Sequence, residues 1–80
     1  MKNIKNTASF GGCIITINKD KIIYVDDVGI KMDFEINTPI TEILEWIWEF
    51  APNNDVASQQ VSFFGNYIQS NTLYRSVTGA

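Results

Sequence analysis

Among the side chains that could take part in catalysis or metal binding, this sequence is rich in carboxylates and poor in histidine and cysteine. Its 80 residues include no histidine and one cysteine, and nine carboxylates stand against six basic side chains. Histidine is the commonest general acid or base, and a nucleophile needs a neighbouring base to activate it. Cys13 lies in an apolar run with no such base beside it, so we interpret it as a small buried side chain. The inventory therefore predicts a protein that is not an enzyme.

Carboxylates are the one reactive group in good supply, and oxygen ligands suit Mg²⁺ or Ca²⁺. Four of them flank a predicted hairpin, namely Asp26, Asp27, Asp33 and Glu35. Their spacing matches no metal-binding loop, and Asp26 opens a turn in which its side chain bonds back to the chain. We therefore expect no bound metal. Gly11-Gly12 lacks the lysine and hydroxyl residue of a phosphate-binding loop, so it predicts a turn or bulge, and we expect no cofactor.

Charge is strongly segregated along the chain. Residues 26–55 hold eight of the nine carboxylates and a single lysine, whereas the first 25 residues are basic. The acidic segment would repel a phosphate backbone, but it would attract a basic protein surface, including one that normally holds DNA or RNA. The alternative is that these carboxylates are merely solvated. The residues assigned to a protein-binding acidic face are Asp26, Asp27, Asp33, Glu35, Glu42, Glu45 and Glu49.

A helix predicted over residues 38–50 must position part of this face, with Thr38 as its N-cap and Pro39 at its first helical position. At about 100° per residue, the isoleucines of this segment fall on one stripe and its glutamates fall opposite. Trp46 and Trp48 widen the stripe on opposite shoulders. We expect one ring to pack on the sheet and the other to meet the second helix or another protein, so both are candidate apolar anchors. The alternative is that both rings complete the core.

Three strands are predicted before this helix. Residues 13–18 and 21–26 are β-rich runs that form a hairpin, and residues 26–29 fit a type I turn that leads into the next strand. Residues 30–36 alternate between apolar and polar side chains, which is typical of a strand with one wet face. Residues 1–9 show no periodicity and predict a flexible lead or a short edge strand.

A second helix is predicted from about residue 54 to about residue 71. One of its apolar stripes faces inward, and its polar face has no charge, so that face could be an interface with a second copy of the chain. Gly65, in mid-helix, predicts close approach by another backbone. The second apolar stripe, assigned to self-association, consists of Val56, Phe63 and Tyr67.

These elements predict an α+β fold, with a three-stranded antiparallel β-meander followed by two α-helices packed on one face of the sheet. Residues 1–80 would form a single small domain, in which 1–10 and 75–80 are flexible. No segment resembles a secretory signal or approaches the roughly 20 apolar residues of a membrane span, so we expect a cytoplasmic protein with no membrane partner.

The layout resembles that of the small, acidic anti-CRISPR and related host-takeover proteins of bacteriophages. The resemblance consists of strands across residues 13–36, helices across 38–71 and segregated acidic charge, with no shared motif. It implies a non-catalytic inhibitor whose acidic surface occludes a basic nucleic-acid-binding site of a defence complex in the bacterial host cell, without binding nucleic acid directly. The alternatives are a self-associating structural or regulatory subunit, such as a homodimer, and an acidic immunity protein or antitoxin.

Overall fold

The computed structural model describes residues 6–79, which form one four-stranded sheet and three helices. The strands are β1 (Thr7–Phe10), β2 (Cys13–Ile17), β3 (Lys21–Val25) and β4 (Lys31–Glu35). The helices are α1 (Ile40–Phe50), α2 (Asn54–Ser70) and α3 (Thr72–Thr78). The predicted α+β class is confirmed. The predicted counts of three strands and two helices are wrong, because β1 and α3 are additional elements.

The sheet is an antiparallel meander in the order β1-β2-β3-β4. Successive strand residues point to opposite faces, so the pairing register places most of the apolar side chains of the four strands on one inner face. One row across that face consists of Ala8, Ile15, Tyr24 and Met32, and the next consists of Ile17, Ile22 and Phe34. The opposite, outer face carries all the charged strand residues, together with three apolar ones. The charged residues are Lys21, Lys31, Asp33 and Glu35, and the apolar ones are Ile14, Ile23 and Val25.

Strand β1 occupies residues 7–10 at the edge of the sheet, and it overlaps the segment 1–9 that was predicted to be either a flexible lead or a short edge strand. It pairs with β2 through a two-residue turn in which Gly11 and Gly12 have φ of 61° and 85°. Positive φ at both central residues is the geometry of the tight hairpin turn that matches the twist of the strands. Residues 1–5, which the same prediction covered, lie outside the described part of the chain.

The other two turns are held by side-chain acceptors. The Asn18 Oδ1 atom accepts hydrogen bonds from the backbone amides two and three residues ahead, at 2.8 and 2.7 Å. The Asp26 Oδ1 atom accepts from the amides of Val28 and Ile30 at 3.1 and 2.7 Å, and the Gly29 amide donates to the Asp26 carbonyl at 3.1 Å. These bonds stabilise the two turns, neither of which contains the Asn-Gly pair that hairpin turns often use.

Helices α1 and α2 begin in different ways. Pro39 has a ψ of 143° and is itself the N-cap of α1, whose first residue is Ile40. Thr38 is therefore one residue too early, and the predicted positions of the cap and of Pro39 are both wrong by one residue. Helix α2 is capped by Asn53, whose side chain accepts from the Val56 amide at 2.9 Å. That bond satisfies one of the amides that a helix start leaves without a partner.

Helix α3 occupies much of the segment 75–80 that was predicted to be flexible, and residue 80 lies outside the described part of the chain. The buried side chain of Asn71 caps it, accepting from the Tyr74 amide at 3.1 Å and donating to the Asn6 side chain at 2.9 Å. The Tyr74 hydroxyl donates to the Thr38 carbonyl at 2.9 Å. A short helix is marginal alone, so these bonds to distant parts of the chain explain why it forms here.

The core lies between the inner face of the sheet and helices α1 and α2. Its fully buried large side chains are Ile15, Ile17, Ile22, Ile43, Ile47, Phe64 and Ile68. Both helices therefore face the sheet with the apolar stripes that their spacing predicts.

Replacement of Gly65 by alanine is expected to stabilise the protein by about 0.5 to 1 kcal/mol. A Cβ at this buried position would lie 3.4 Å from the Leu44 Cδ1 atom, an ordinary contact with the flexible end of a side chain. The glycine thus faces a side chain of α1 where close approach by another backbone was predicted. Urea denaturation measures the change, and Ser62→Ala on the exposed side of α2 is the matched control. A loss of stability in Gly65→Ala would show that the helices need the glycine to pack.

Candidate functional site

The residues predicted to form one acidic face lie on three separate parts of the molecule. Asp33 and Glu35 belong to the outer face of the sheet, on the side away from the helices. Lysines share that face: Lys21 is the cross-strand partner of Glu35, and its Nζ atom lies 3.8 Å from the Asp33 carboxylate. These two carboxylates are therefore partly balanced by positive charge.

The three glutamates of α1 form the second group. Glu42, Glu45 and Glu49 are all exposed, and their spacing places them within about 60° of one another around the helix. No lysine or arginine occurs within α1. This arrangement concentrates negative charge on the side of α1 that faces away from the core.

The two tryptophans have different surroundings. The half-buried Trp46 ring makes edge contacts with Tyr24 and Phe34 of the sheet, at centroid distances of 5.0 and 6.0 Å, and packs on Phe50 at 4.8 Å. Trp48 is 47% exposed and makes no such contact with the sheet. Trp48 is therefore the tryptophan whose surface is available to another molecule.

Trp48 also borders a shallow groove between α1 and α2. The groove has a volume of about 320 Å³, and Leu44 and Val61 form its floor while Glu45 lies at its edge. We call the surface made by Glu42, Glu45, Trp48 and Glu49 the α1 face. It combines a half-exposed aromatic ring with a cluster of like charges on one helix.

The apolar stripe assigned to self-association, Val56, Phe63 and Tyr67, packs in part against other residues of the same chain. The Phe63 ring stacks on Phe10 of β1 at 4.9 Å, with an angle of 19° between the planes. Tyr67 and Val56 are half-buried. The homodimer stays a prediction, but this stripe has less free apolar surface than the sequence pattern indicates.

The third acidic group, Asp26 and Asp27, lies beside a pocket of about 430 Å³ at one end of the sheet. The pocket forms where the β1–β2 turn and the end of β3 meet the connection between α1 and α2. We call it the end pocket. Its floor contains the buried side chains of Cys13, Tyr24 and Gln60.

Gln60 is the polar residue of this pocket that sequence reasoning missed. Only 3% of it is exposed, its Nε2 atom donates to the Cys13 Sγ atom at 3.2 Å, and its Oε1 atom has no hydrogen-bond partner within residues 6–79. A buried amide oxygen without a partner costs about 1 to 3 kcal/mol. The sequence feature that could have identified Gln60 is its position, at helical spacing, beside the apolar stripe of Ala57, Val61 and Phe64.

Above pH about 10, the free energy of unfolding is expected to fall. The chain has three tyrosines, and burial is the first cause that raises the pKa of each, namely Tyr24, Tyr67 and Tyr74. For Tyr24, the Cys13 thiol and the charges of Asp26 and Asp27 raise the pKa further. The pKa of each tyrosine is higher in the folded protein than in the unfolded chain. The free energy of unfolding is therefore at its full value below the unfolded pKa, and it falls as the pH rises through the folded pKa values.

Urea denaturation at stepped pH, with tyrosinate absorbance recorded alongside, measures this effect. Tyrosine ionisation should begin above the ordinary value and coincide with the loss of stability. Free ionisation of all three side chains near pH 10 in the folded protein would contradict it.

Among residues 6–79, no group of three or more cysteine, aspartate and glutamate side chains is arranged to hold a metal ion. The helices of this part of the chain lack the length and apolar character that crossing a membrane requires. Comparison with protein-family models, curated proteins and solved structures finds no match for this chain.

Proposed function

We propose that this protein is a non-catalytic, protein-binding inhibitor that docks through its α1 face. The partner would be a host defence complex, and the acidic surface would occlude a basic site that normally holds nucleic acid, as in anti-CRISPR proteins. The observation that carries the proposal is the pairing on one helix of three exposed glutamates with a half-exposed tryptophan.

The two features of the α1 face have complementary roles in such a complex. Trp48 offers a large rigid ring of the kind that fills a partner's pocket and contributes much of the binding energy. The glutamates steer a basic partner toward this ring and select against acidic ones. Since α1 is anchored by Ile43 and Ile47 in the core, this face is presented on a rigid element.

We expect only some of the predicted carboxylates to contact the partner. Asp33 and Glu35 point away from the helices and lie among lysines, so they are not expected to contact the same partner surface.

An immunity protein or antitoxin would use the α1 face in the same way on a basic toxin. The identity of the bound protein separates these classes.

Reversal of the α1 charges, in the triple variant Glu42→Lys, Glu45→Lys, Glu49→Lys, is expected to weaken partner binding by about thirty-fold or more. The partner is first captured from a bacterial lysate on the immobilised protein. Its affinity is then measured by titration at several salt concentrations. The wild-type protein should lose affinity as salt rises, and excess nucleic acid should compete for the captured complex.

The matched control reverses two carboxylates on the outer face of the sheet, in Asp33→Lys, Glu35→Lys. This control should bind within about three-fold of the wild type, because those residues lie on the opposite side of the molecule. Equal affinity and equal salt dependence in the wild type and the triple α1 variant would refute docking through the α1 face. Light scattering on the free protein tests the alternative of a homodimer.

A further inference from the structure

We infer that the end pocket binds a small organic cation, meaning a molecule with an ammonium or guanidinium group on an apolar body. This site is separate from the α1 face and does not depend on the proposed function. Its volume of about 430 Å³ falls within the usual range for small-molecule sites.

The charged residues that line the end pocket favour a positively charged ligand. Asp26 and Asp27 line the pocket, and none of its lining residues is a lysine or arginine. Asp26 is held in position because its Oδ1 atom accepts the two amide hydrogen bonds of the β3–β4 turn. An anion would meet two carboxylates without compensation, whereas a cation would gain charge-assisted hydrogen bonds.

The floor of the pocket offers a further acceptor. The Gln60 Oε1 atom is covered by the pocket lining and has no partner within the described chain, so a ligand N–H group would satisfy it where the side chain turns toward the pocket. Tyr24 lines the same pocket as Asp26 and Asp27. The pocket therefore presents acceptors at both its rim and its floor.

The rest of the wall is apolar and aromatic. Phe10, Phe50 and Val56 line it, and Phe50 is 57% exposed, which leaves its ring open to contact with a ligand. Aromatic rings also attract cations that approach their faces. An apolar body of about the size of a phenylethyl group, attached to an ammonium, matches both parts of the site.

The test uses phenethylamine as the cationic probe and phenylpropionate as an anion of similar size and shape. Amide chemical shifts are followed by NMR during titration of the full chain. We expect phenethylamine to shift the amides of Gly11, Asp27 and Gln60 with millimolar affinity. Phenylpropionate should bind at least about ten-fold more weakly.

The substitution Asp27→Asn removes one charge at an exposed position with little change of shape, and it should weaken phenethylamine binding by about five- to ten-fold. Asp33→Asn makes the same change on the outer face of the sheet and should leave binding unchanged. The inference would be overturned by the absence of any shift of the pocket amides at about 10 mM phenethylamine, or by equal affinity for the cation and the anion. Equal loss in the two Asn variants would also overturn it, because the effect would then reflect only net charge.

Discussion

Replacement of Phe64 by alanine is expected to lower the free energy of unfolding by about 3 to 5 kcal/mol. Phe64 is fully buried, and its ring makes edge contacts with Phe10, Phe63 and Tyr24 at centroid distances of 6.4, 5.2 and 6.0 Å. It therefore joins α2 to both β1 and β3. Truncation would remove these contacts and leave a cavity that the surrounding side chains can fill only in part.

The size of the effect is large relative to the whole domain. A protein of 80 residues is typically stable by about 4 to 12 kcal/mol, so Phe64→Ala should unfold at far lower urea concentration and be partly unfolded at moderate temperature. Far-ultraviolet circular dichroism during urea denaturation measures the shift.

Phe63→Ala provides the matched control, since it removes the neighbouring ring. Phe63 is 38% exposed and stacks on Phe10, so we expect a cost of about 1 to 2 kcal/mol. If Phe64→Ala costs no more than Phe63→Ala, then Phe64 does not occupy the centre of the core.

The elements that the sequence predicts well are those specified by local patterns. The α1 stripe places Ile43 and Ile47 inward, and both are buried. The turn from Asp26 to Gly29 forms with the hydrogen bonds that an aspartate at its first position favours. In both cases a few adjacent residues supply the information, so no distant contact is needed to predict the structure.

The two elements missing from the predicted counts depend on short signals at their ends. Strand β1 is only four residues long, but Gly11-Gly12 after it is a typical pair for a tight hairpin turn. Helix α3 is capped by Asn71 at its start and by Gly79, with φ of 75°, at its end. Each element is too short for its periodicity to be recognised, and each is held by distant parts of the chain.

The candidate site was predictable only in part. The alternation in β4 places Asp33 and Glu35 on one face of the sheet and Met32 and Phe34 on the other. Because the helices were expected to cover the apolar face, the position of these two carboxylates away from the helices was predictable. The end pocket could not be predicted in this way. It brings together Gly11, Tyr24 and Gln60 from three segments whose approach is decided by tertiary packing.

Replacement of Gly12 by alanine is expected to destabilise the protein by about 2 to 4 kcal/mol, although the residue is exposed. Its φ of 85° is unfavourable for any residue with a Cβ atom. In addition, the new Cβ would lie 2.9 Å from the Asp27 Cβ atom. The substitution therefore strains the β1–β2 turn and pushes it against the β3–β4 turn.

The neighbouring glycine supplies the matched control. Gly11 has a φ of 61°, which asparagine tolerates, and a Cβ there would meet only the Gln60 Nε2 atom at 3.8 Å. Gly11→Asn creates the Asn-Gly pair preferred in this type of turn, so stability should change by less than about 0.5 kcal/mol.

Urea denaturation compares the two variants, and hydrogen exchange locates the damage. In Gly12→Ala, protection should fall first at the amides of β1 and β2, because the strained turn joins these strands and β1 is at the edge of the sheet. If Gly12→Ala is as stable as Gly11→Asn, then β1 does not pair with β2 through this turn. In that case the wall of the end pocket that the turn supplies would also be misplaced, so the stability of this one variant bears on both the edge strand and the proposed cation site.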